Sequence, residues 1–297
     1  MHELPQTRDL AVFLSVIDHG GFAEAGRFLK SAPSTLSRTV SRLEVELGVT
    51  LLRRSTRAIE LTPEGRDLAQ AAREIVARAE SLSEIATQSR APRGPLRVDA
   101  PVPFVLHGIA PKLSGFQQRY PDIELTLDMT DAVVDLFGSH ADVAIRFGPL
   151  SDSGMLRRRL GRTGWTLVAA PAYLDRIGRP ERPEDLADFG QVRFAAPDYT
   201  NDLRFKGLAS PIRPRPTVTA TNGEAVRRLV LAGLGVARFS NYMIAEDLAA
   251  GRLVPLFPDR LEAEPLDITA LYLTRISGLR RLSVFLDWLE EIVGSEE

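Results

Sequence analysis

Residues 33 to 47 of the chain, PSTLSRTVSRLEVEL, combine a hydrophobic stripe with an opposite face of hydroxyl and guanidinium groups. The stripe recurs at steps of four, three and four, as expected for one buried helix face: Leu36, Val40, Leu43 and Leu47. The polar groups fall on the other side of such a helix: Ser34, Arg38, Ser41 and Arg42, with Thr35 and Ser37 beside them. These groups suit phosphate oxygens and the acceptor edge of guanine, so the segment predicts a helix that faces nucleic acid. For Ser34, Thr35 and Ser37, helix N-terminal capping is an equal alternative.

The flanking residues predict a helix-turn-helix followed by a β-hairpin. DLAVFLSVIDHG and FAEAGRFLK predict two short helices with hydrophobic residues available for packing at Leu10, Phe13, Leu14, Ile17, Ala25, Phe28 and Leu29. After a tight turn, Pro33 suits the first helical position because its missing N–H is not needed there. Gly48 ends the helix, and VTLLRRSTRAIELT predicts an extended hairpin. Its basic residues would lie along a phosphate backbone: Arg53, Arg54 and Arg57.

A long helix is predicted from Pro63 to about Arg90, with Thr62 as its N-cap. Hydrophobic residues alternate at steps of four and three, the seam of a helix that packs against a partner helix: Leu68, Ala72, Ile75, Ala79 and Leu82. Packing on the protein's own domain is the alternative. A dimer is favoured, because two recognition helices need a spacer that holds them about one DNA turn apart.

Composition narrows the function classes. The 297 residues are 44% hydrophobic, include no cysteine, and have four histidines without metal-ligand spacing. No nucleophile elbow, phosphate-binding loop or dinucleotide-binding glycine motif is present, so we expect neither an enzyme nor a cofactor. No apolar run spans a bilayer and the N-terminus lacks a signal-peptide layout, so we expect a cytoplasmic protein without a membrane partner.

The segment GGFAEAGRFLKSAPSTLSRTVSRLEVELGVTLLRRSTRAIELTPEG resembles the winged helix-turn-helix of LysR-type transcriptional regulators. The similarity is carried by LSR…V…RLE in the helix and by L…R.TR….LT.EG around the hairpin. Two residues depart from the family pattern: Pro33 stands where members often have Gln, and Leu52 replaces the usual Phe. The residue pattern and the resemblance together predict DNA contacts at Pro33, Ser34, Thr35, Ser37, Arg38, Arg42, Arg54 and Arg57.

Beyond APRGP at 91 to 95, a hinge by composition, strand and helix patterns alternate in an α/β layout with mostly parallel strands. The resemblance implies a winged helix-turn-helix domain dominated by α-helices over 1–62, a linker dimerisation helix over 63–90, and a periplasmic-binding-protein-like effector domain over 91–297. That domain would have two α/β lobes, lobe I over about 95–165 plus 268–297 and lobe II over about 166–267.

Ligands of such folds bind between the lobes, at strand ends and helix N-termini. Matching this chain to the family pattern predicts effector contacts at Pro101, Val102, Pro103, Phe104, Thr130, Arg146, Phe147, Asn222 and Gly223. Arg146 would bind a carboxylate, with a salt bridge to a neighbouring acid as an equal alternative. The stretch APVPFVL is apolar where carboxylate-binding relatives usually offer a hydroxyl, so either the effector has a hydrophobic part or this cleft recognises it differently. The expected partner is a small-molecule effector such as a small organic acid or an aromatic compound.

The sequence therefore predicts a DNA-binding regulator controlled by a small molecule. Its partners would be double-stranded promoter DNA, the effector, a second or further copies in a homodimer or homotetramer, and RNA polymerase. The alternative from another class is a solute-binding module without DNA regulation, which the N-terminal winged helix disfavours.

Overall fold

The computed structural model describes residues 4–54, 59–86, 91–129, 141–150, 154–273 and 279–294. Three helices and a hairpin form the N-terminal unit: α1 (Thr7–Asp18), α2 (Phe22–Phe28), α3 (Pro33–Leu47), β1 (Leu52–Arg54) and β2 (Ile59–Leu61). β1 and β2 are antiparallel, with Leu52 opposite Leu61. This is the predicted helix-turn-helix with a hairpin wing, and the tip of the wing lies outside the described residues.

The hydrophobic stripe of α3 packs against α1, as the periodicity predicts. Leu36, Val40 and Leu43 are buried against Leu10 and Phe13. Pro33 occupies the first turn, and Gly48 closes the helix with a left-handed φ of 69°. The periodicity of α3 therefore predicted correctly which face of the helix is buried.

Two hydrophobic residues of the second helix were predicted wrongly to pack in this core. Ala25 is fully buried, but Phe28 and Leu29 are 48% and 38% exposed. The helix ends at Phe28, and Lys30 reverses the chain with a φ of 49°. The reversal leaves the Phe28 ring against His19, at a centroid distance of 4.4 Å, instead of turning it inward.

Helix α4 (Pro63–Ala86) begins as predicted. The Thr62 hydroxyl accepts the Gly65 N–H at 2.8 Å and donates to the carbonyl of Thr50 at 2.7 Å. A side chain at Gly65 would collide with the carbonyl oxygen of Leu51, so glycine is required where the helix starts beside the wing. Residues 87–90, the predicted end of the helix, lie outside the described residues.

The predicted seam of α4 has two parts. Leu68 and Ala72 pack on the N-terminal core of the same chain, which is the alternative that the sequence left open. Ile75 and Leu82 are 49% and 68% exposed and remain available to another helix. Ala79 lies between them and is half-buried. The seam is split because α4 crosses the three-helix unit with its first turns only.

From residue 94 onward the chain contains β3 (Gly94–Ala100), α5 (Val102–Phe104), α6 (Leu113–Arg119), β4 (Ile123–Met129), β5 (Val143–Phe147), β6 (Leu156–Thr163), β7 (Trp165–Ala169), α7 (Pro171–Ile177), β8 (Gly190–Phe194), β9 (Arg215–Ala220), α8 (Gly223–Leu231), β10 (Ala237–Ser240), α9 (Asn241–Ala249), β11 (Val254–Pro255), β12 (Leu266–Tyr272) and α10 (Arg280–Gly294). A π-helical turn (Val105–Ile109) and a 3-10 turn (Ala110–Lys112) join α5 to α6.

Two hydrophobic cores divide these elements into two lobes. Lobe I is a five-stranded sheet in the order β4-β3-β5-β12-β6, covered by α6 and α10. Lobe II contains the three-stranded sheet β10-β7-β11 and the pair β8-β9, with α7, α8 and α9. The chain passes between the lobes twice, at Gly164 and before Leu266. The α/β class with a two-lobed C-terminal part is confirmed.

The prediction of mostly parallel strands is wrong, because the pairing is mixed. β3 is parallel to β4 and β5, whereas β12 is antiparallel to β5 and β6. β6 and β12 are the segments by which the chain leaves lobe I and returns to it, so they run in opposite directions. No helix among the described residues has the length and apolar character needed to cross a bilayer.

Candidate DNA-binding surface and effector cleft

The polar face of α3 is exposed where DNA contacts were predicted. Pro33, Ser34, Thr35 and Arg38 are all exposed, and Ser37 is half-buried. Arg38 forms no ion pair with any residue that the structure describes. Its guanidinium is therefore available to a phosphate or to a guanine edge.

Arg42 lies on the same face but is already engaged. Its Nη2 donates to both carboxylate oxygens of Asp9, at 2.8 and 2.7 Å, and its Nε lies 3.8 Å from Glu46. The Asp9 side chain is only 4% exposed, whereas that of Arg42 is 57% exposed. The hydrogen bond and the charge of Asp9 raise the pKa of Arg42. Arg42 thus ties α3 to α1, a role that the local charge pattern did not reveal.

Glu44 connects α3 to the wing. Its Oε1 accepts the backbone N–H groups of Leu51 and Leu52, at 2.8 and 3.2 Å. Arg53 on β1 is exposed, Arg54 is described only in its backbone, and Arg57 lies outside the described residues. Glu44 therefore supports the wing through its carboxylate.

The predicted effector residues that the structure describes converge where the two lobes meet. A Cβ atom placed on Gly223, at the start of α8, would lie 2.8 Å from Pro103 of α5. The Asn222 side chain caps α8 by accepting the N–H groups of Glu224 and Ala225, at 2.9 and 3.1 Å. Pro101 and Val102, which open α5, are half-buried. Thr130 lies outside the described residues.

An aromatic cluster joins the lobes. The rings of Phe104 and Phe147 in lobe I are 5.3 Å apart, and each lies within 5.6 Å of Tyr242 in lobe II. Tyr242 packs against both hydrophobic cores. Phe104 comes from the apolar stretch APVPFVL, and its contacts with Phe147 and Tyr242 are edge-to-face, a geometry that aromatic pairs prefer.

Arg146 pairs with an acid of its own lobe, the alternative that the sequence left open. Its Nη2 lies 2.5 Å from Oδ1 of Asp99, and the two side chains are 12% and 5% exposed. The atoms pair as charges, although neither makes a well-oriented hydrogen bond. Burial raises the pKa of Asp99, and the charge of Arg146 opposes that rise. Asp99 therefore competes with a carboxylate effector for the charge of Arg146.

A further contact between the lobes was missed by the sequence analysis. His107 Nε2 lies 2.8 Å from Glu224 Oε2, across 117 residues of chain. Glu224 also accepts from Arg227 and Arg228, while Arg227 donates to the fully buried Asp247. These groups line a pocket of 790 Å³ between the lobes. No sequence signal pairs His107 with Glu224, because the contact depends on how the lobes pack.

Comparison with known proteins is consistent with this architecture. Residues 7–66 match the family model of the bacterial regulatory helix-turn-helix protein, lysR family. Residues 89–293 match the LysR substrate binding domain.

The matched relatives have the same extent as this chain. The HTH-type transcriptional regulator CrgA of Neisseria meningitidis serogroup C (strain 8013) is 36% identical over 291 residues, which are 97% of each chain. The solved structure of CrgA from Neisseria meningitidis aligns with a TM-score of 0.65 and 35% identity, covering 97% of this chain and 99% of that one. The full-length structure of AphB, a Vibrio cholerae virulence activator, aligns with a TM-score of 0.58 and 28% identity, covering 96% and 98%.

The family models cover more than half of the chain, and the relatives are HTH-type transcriptional regulators and not enzymes. The winged helix-turn-helix and the two-lobed domain correspond to the two matched ranges, in the same order. The chain therefore belongs to the LysR-type family of DNA-binding transcriptional regulators, which a small-molecule effector controls.

Proposed function

We propose that α3 reads the operator in the major groove, with Arg38 as its main base-contacting residue. The observation that carries this assignment is the exposed polar face of α3 above a fully packed stripe. Ser34 and Thr35 would bind phosphate or base edges at the helix start, and Pro33 would shape the contact where relatives often carry Gln. Arg42 is the weaker candidate, because Asp9 already holds it. Ser37, Arg54 and Arg57 complete the proposed surface, the last two from the wing.

We propose further that two copies pair through the exposed part of α4 and act in the cytoplasm on a promoter. Ile75 and Leu82 offer hydrophobic surface on the solvent side of α4. A homodimer would hold two recognition helices against successive turns of DNA, and two dimers would form a homotetramer. RNA polymerase is the proposed protein partner at the promoter.

The effector is proposed to bind between the lobes, near α5, the end of β5 and the start of α8. By binding one arrangement of the lobes more tightly than another, the effector would shift the population of the regulator toward that arrangement. Pro101, Val102, Pro103, Phe104, Thr130, Phe147, Asn222 and Gly223 remain the proposed contacts. Arg146 is the weakest candidate for an effector contact, because it already pairs with Asp99.

The test is fluorescence anisotropy of the full-length protein on DNA from upstream of its own gene, with a scrambled duplex as the reference. We expect the native duplex to bind about 10³-fold more tightly than the scrambled one. Arg38→Ala should weaken binding to the native duplex about 10- to 100-fold and bring the two duplexes closer in affinity.

The matched control is Arg213→Ala in lobe II, an exposed arginine that pairs with Asp202. This variant removes one positive charge far from α3 and should leave both affinities unchanged. If Arg38→Ala binds the native duplex as tightly as the unmodified protein does, α3 is not the reading surface that we assign.

A further inference from the structure

Arg238 of β10 is a buried cation that forms no ion pair with a described residue, although the charge of Asp202 favours its charged form. It is 7% exposed, and no carboxylate among the described residues pairs with it. Its Nε donates to the carbonyl of Thr200 at 2.8 Å, and its Nη2 donates to that of Tyr199 at 2.7 Å. The guanidinium carbon lies 4.6 Å from the ring centroid of Trp165. Burial lowers the pKa of Arg238. A buried charge in such surroundings is costly unless an anion joins it.

The surroundings of Arg238 are at the junction of the lobes. Tyr199 and Thr200 belong to the 3-10 turn (Asp198–Asn201) that follows the carboxyl end of β8. Trp165 is the first residue of β7, directly after the chain enters lobe II. Ligands of open α/β sheets bind at such strand ends.

Tyr199 extends from Arg238 toward lobe I. Its carbonyl oxygen holds Arg238, while its hydroxyl would lie 3.4 Å from a Cβ atom on Gly148 of lobe I. Gly148 directly follows Phe147 of the aromatic cluster. Tyr199 therefore contacts the Arg238 guanidinium through its backbone carbonyl and lobe I through its side chain, and the residue is 47% exposed.

The hydrogen bonds of Arg238 leave one edge of the guanidinium for a ligand. Nε and Nη2 donate along the side edge to two carbonyl oxygens, whereas Nη1 has no partner among the described residues. The end edge, Nη1 with the second N–H of Nη2, has the spacing of a carboxylate. In contrast, the half-buried Arg146 and the buried Arg227 face the carboxylates of Asp99 and Asp247.

We propose that Arg238 holds a carboxylate of the effector in the cleft, and that Phe104, Phe147 and Tyr242 cover the apolar remainder of that ligand. The effector is on this basis a small carboxylate with an apolar body. The inference rests on the proposed function, because it assigns a ligand class to the same cleft. Arg146 keeps a structural role in lobe I.

The test uses iodide, an anionic quencher of tryptophan fluorescence, with the full-length protein and no DNA. The chain has two tryptophans, and Trp288 is buried in α10 and so gives little quenching. Iodide drawn to Arg238 would quench Trp165. We expect Arg238→Gln to lower the iodide quenching constant about threefold, since one charge at contact distance in water concentrates an anion by that order. Quenching by neutral acrylamide should not fall.

Two variants separate charge from structure. Arg193→Gln loses a donor to Asp198, at the same 3-10 turn, and should leave iodide quenching unchanged. Arg238→Lys retains the charge and should keep iodide quenching, but it lacks the planar pair of donors.

Sodium acetate and sodium benzoate then test the ligand class at constant ionic strength, with benzamide as the neutral match of benzoate. We expect the carboxylates to protect Trp165 from iodide, benzamide to have no such effect, and Arg238→Lys to weaken the protection about tenfold or more.

Equal iodide quenching in the unmodified protein and Arg238→Gln would overturn the site. If iodide quenched the unmodified protein more than Arg238→Gln, but neither acetate nor benzoate protected Trp165, the assigned ligand class would be overturned. A protein that binds operator DNA yet fails these tests refutes only the Arg238 assignment. A protein that passes them yet binds no operator DNA refutes only the proposed function.

Discussion

At the scale of single residues, charge counts along the sequence are a poor guide to which charges are available. The cluster around α3 contains two carboxylates, Glu44 and Glu46, and several arginines. In the fold, Asp9 from α1 pairs with Arg42, and Glu44 turns toward the wing. Arg38 is thereby distinguished from Arg42, although their positions on the helix face are equivalent in the sequence pattern.

Glu44→Ala is expected to destabilise the N-terminal unit and loosen the wing. The change leaves the N–H groups of Leu51 and Leu52 without their acceptor in a buried place. The expected loss in the free energy of unfolding is about 1–3 kcal/mol. Urea denaturation followed by circular dichroism measures it, with Glu44→Gln as the matched variant because its amide oxygen still accepts. An equal stability of the Ala and Gln variants would contradict the role that we give to the carboxylate oxygen.

At the scale of elements, α4 presents hydrophobic residues to three different surfaces. Its first turns complete the core of the winged unit through Leu68 and Ala72, and Ala77 contributes to the core of lobe I. Ile75 and Leu82 point to solvent. A heptad pattern identifies which residues share a face but not what covers them, because own-domain packing and pairing between chains need the same spacing.

Ile75→Asp is expected to dissociate the oligomer, because it places a charge in the middle of the proposed helix pair. Sedimentation equilibrium should show the mass of a single chain where the unmodified protein shows a multiple of it. Glu74→Ala, at an exposed neighbour about 100° around the helix, should leave the mass unchanged. An unchanged mass for Ile75→Asp would reject pairing through this face.

At the scale of the whole molecule, the two lobes touch through chemically different contacts. Tyr242 bridges the hydrophobic cores, and the pair of His107 and Glu224 joins the lobes beside the 790 Å³ pocket. Burial alone would raise the pKa of Glu224, but hydrogen bonds from His107 and Arg228 and the charge of Arg227 outweigh it, so the pKa is lowered from its ordinary value of 4.5. The contact between lobes is therefore sensitive to acid.

Glu224→Gln is expected to reduce stability at pH 7 by about 1 kcal/mol, a modest value because water reaches part of the group. A carboxylate with a lowered pKa in the folded state stabilises the protein above its unfolded pKa, and this contribution is lost as the pH falls through the folded value. The difference between the unmodified protein and Glu224→Gln should hence be constant above about pH 5 and shrink below pH 4.5.

Urea denaturation at several pH values measures this difference. Glu246→Gln removes a charge from an exposed carboxylate of the same pocket and should show no comparable difference. If the difference in the free energy of unfolding between the unmodified protein and Glu224→Gln stayed the same in acid, the ionised carboxylate would not contribute to stability.

The sequence by itself determined the features that depend on neighbours along the chain. The spacing of Leu36, Val40 and Leu43 predicted the buried face of α3, and Thr62 with Pro63 predicted the start of α4. These predictions hold because helix periodicity and capping act within a few residues. The winged unit and its polar face could therefore be predicted from the residues, whereas the two lobes were implied by the family resemblance.

Only the tertiary structure decided which distant groups meet. Asp9 and Arg42 are 33 residues apart, and His107 and Glu224 are 117 apart. The contact of Arg146 with Asp99 and the carbonyl contacts of Arg238 likewise depend on strand order and lobe packing. A residue pattern indicates which kinds of group each side chain can bind. The burial that removes water from Arg146 and Arg238, and the partner that each then meets, arise only when the sheets and lobes assemble.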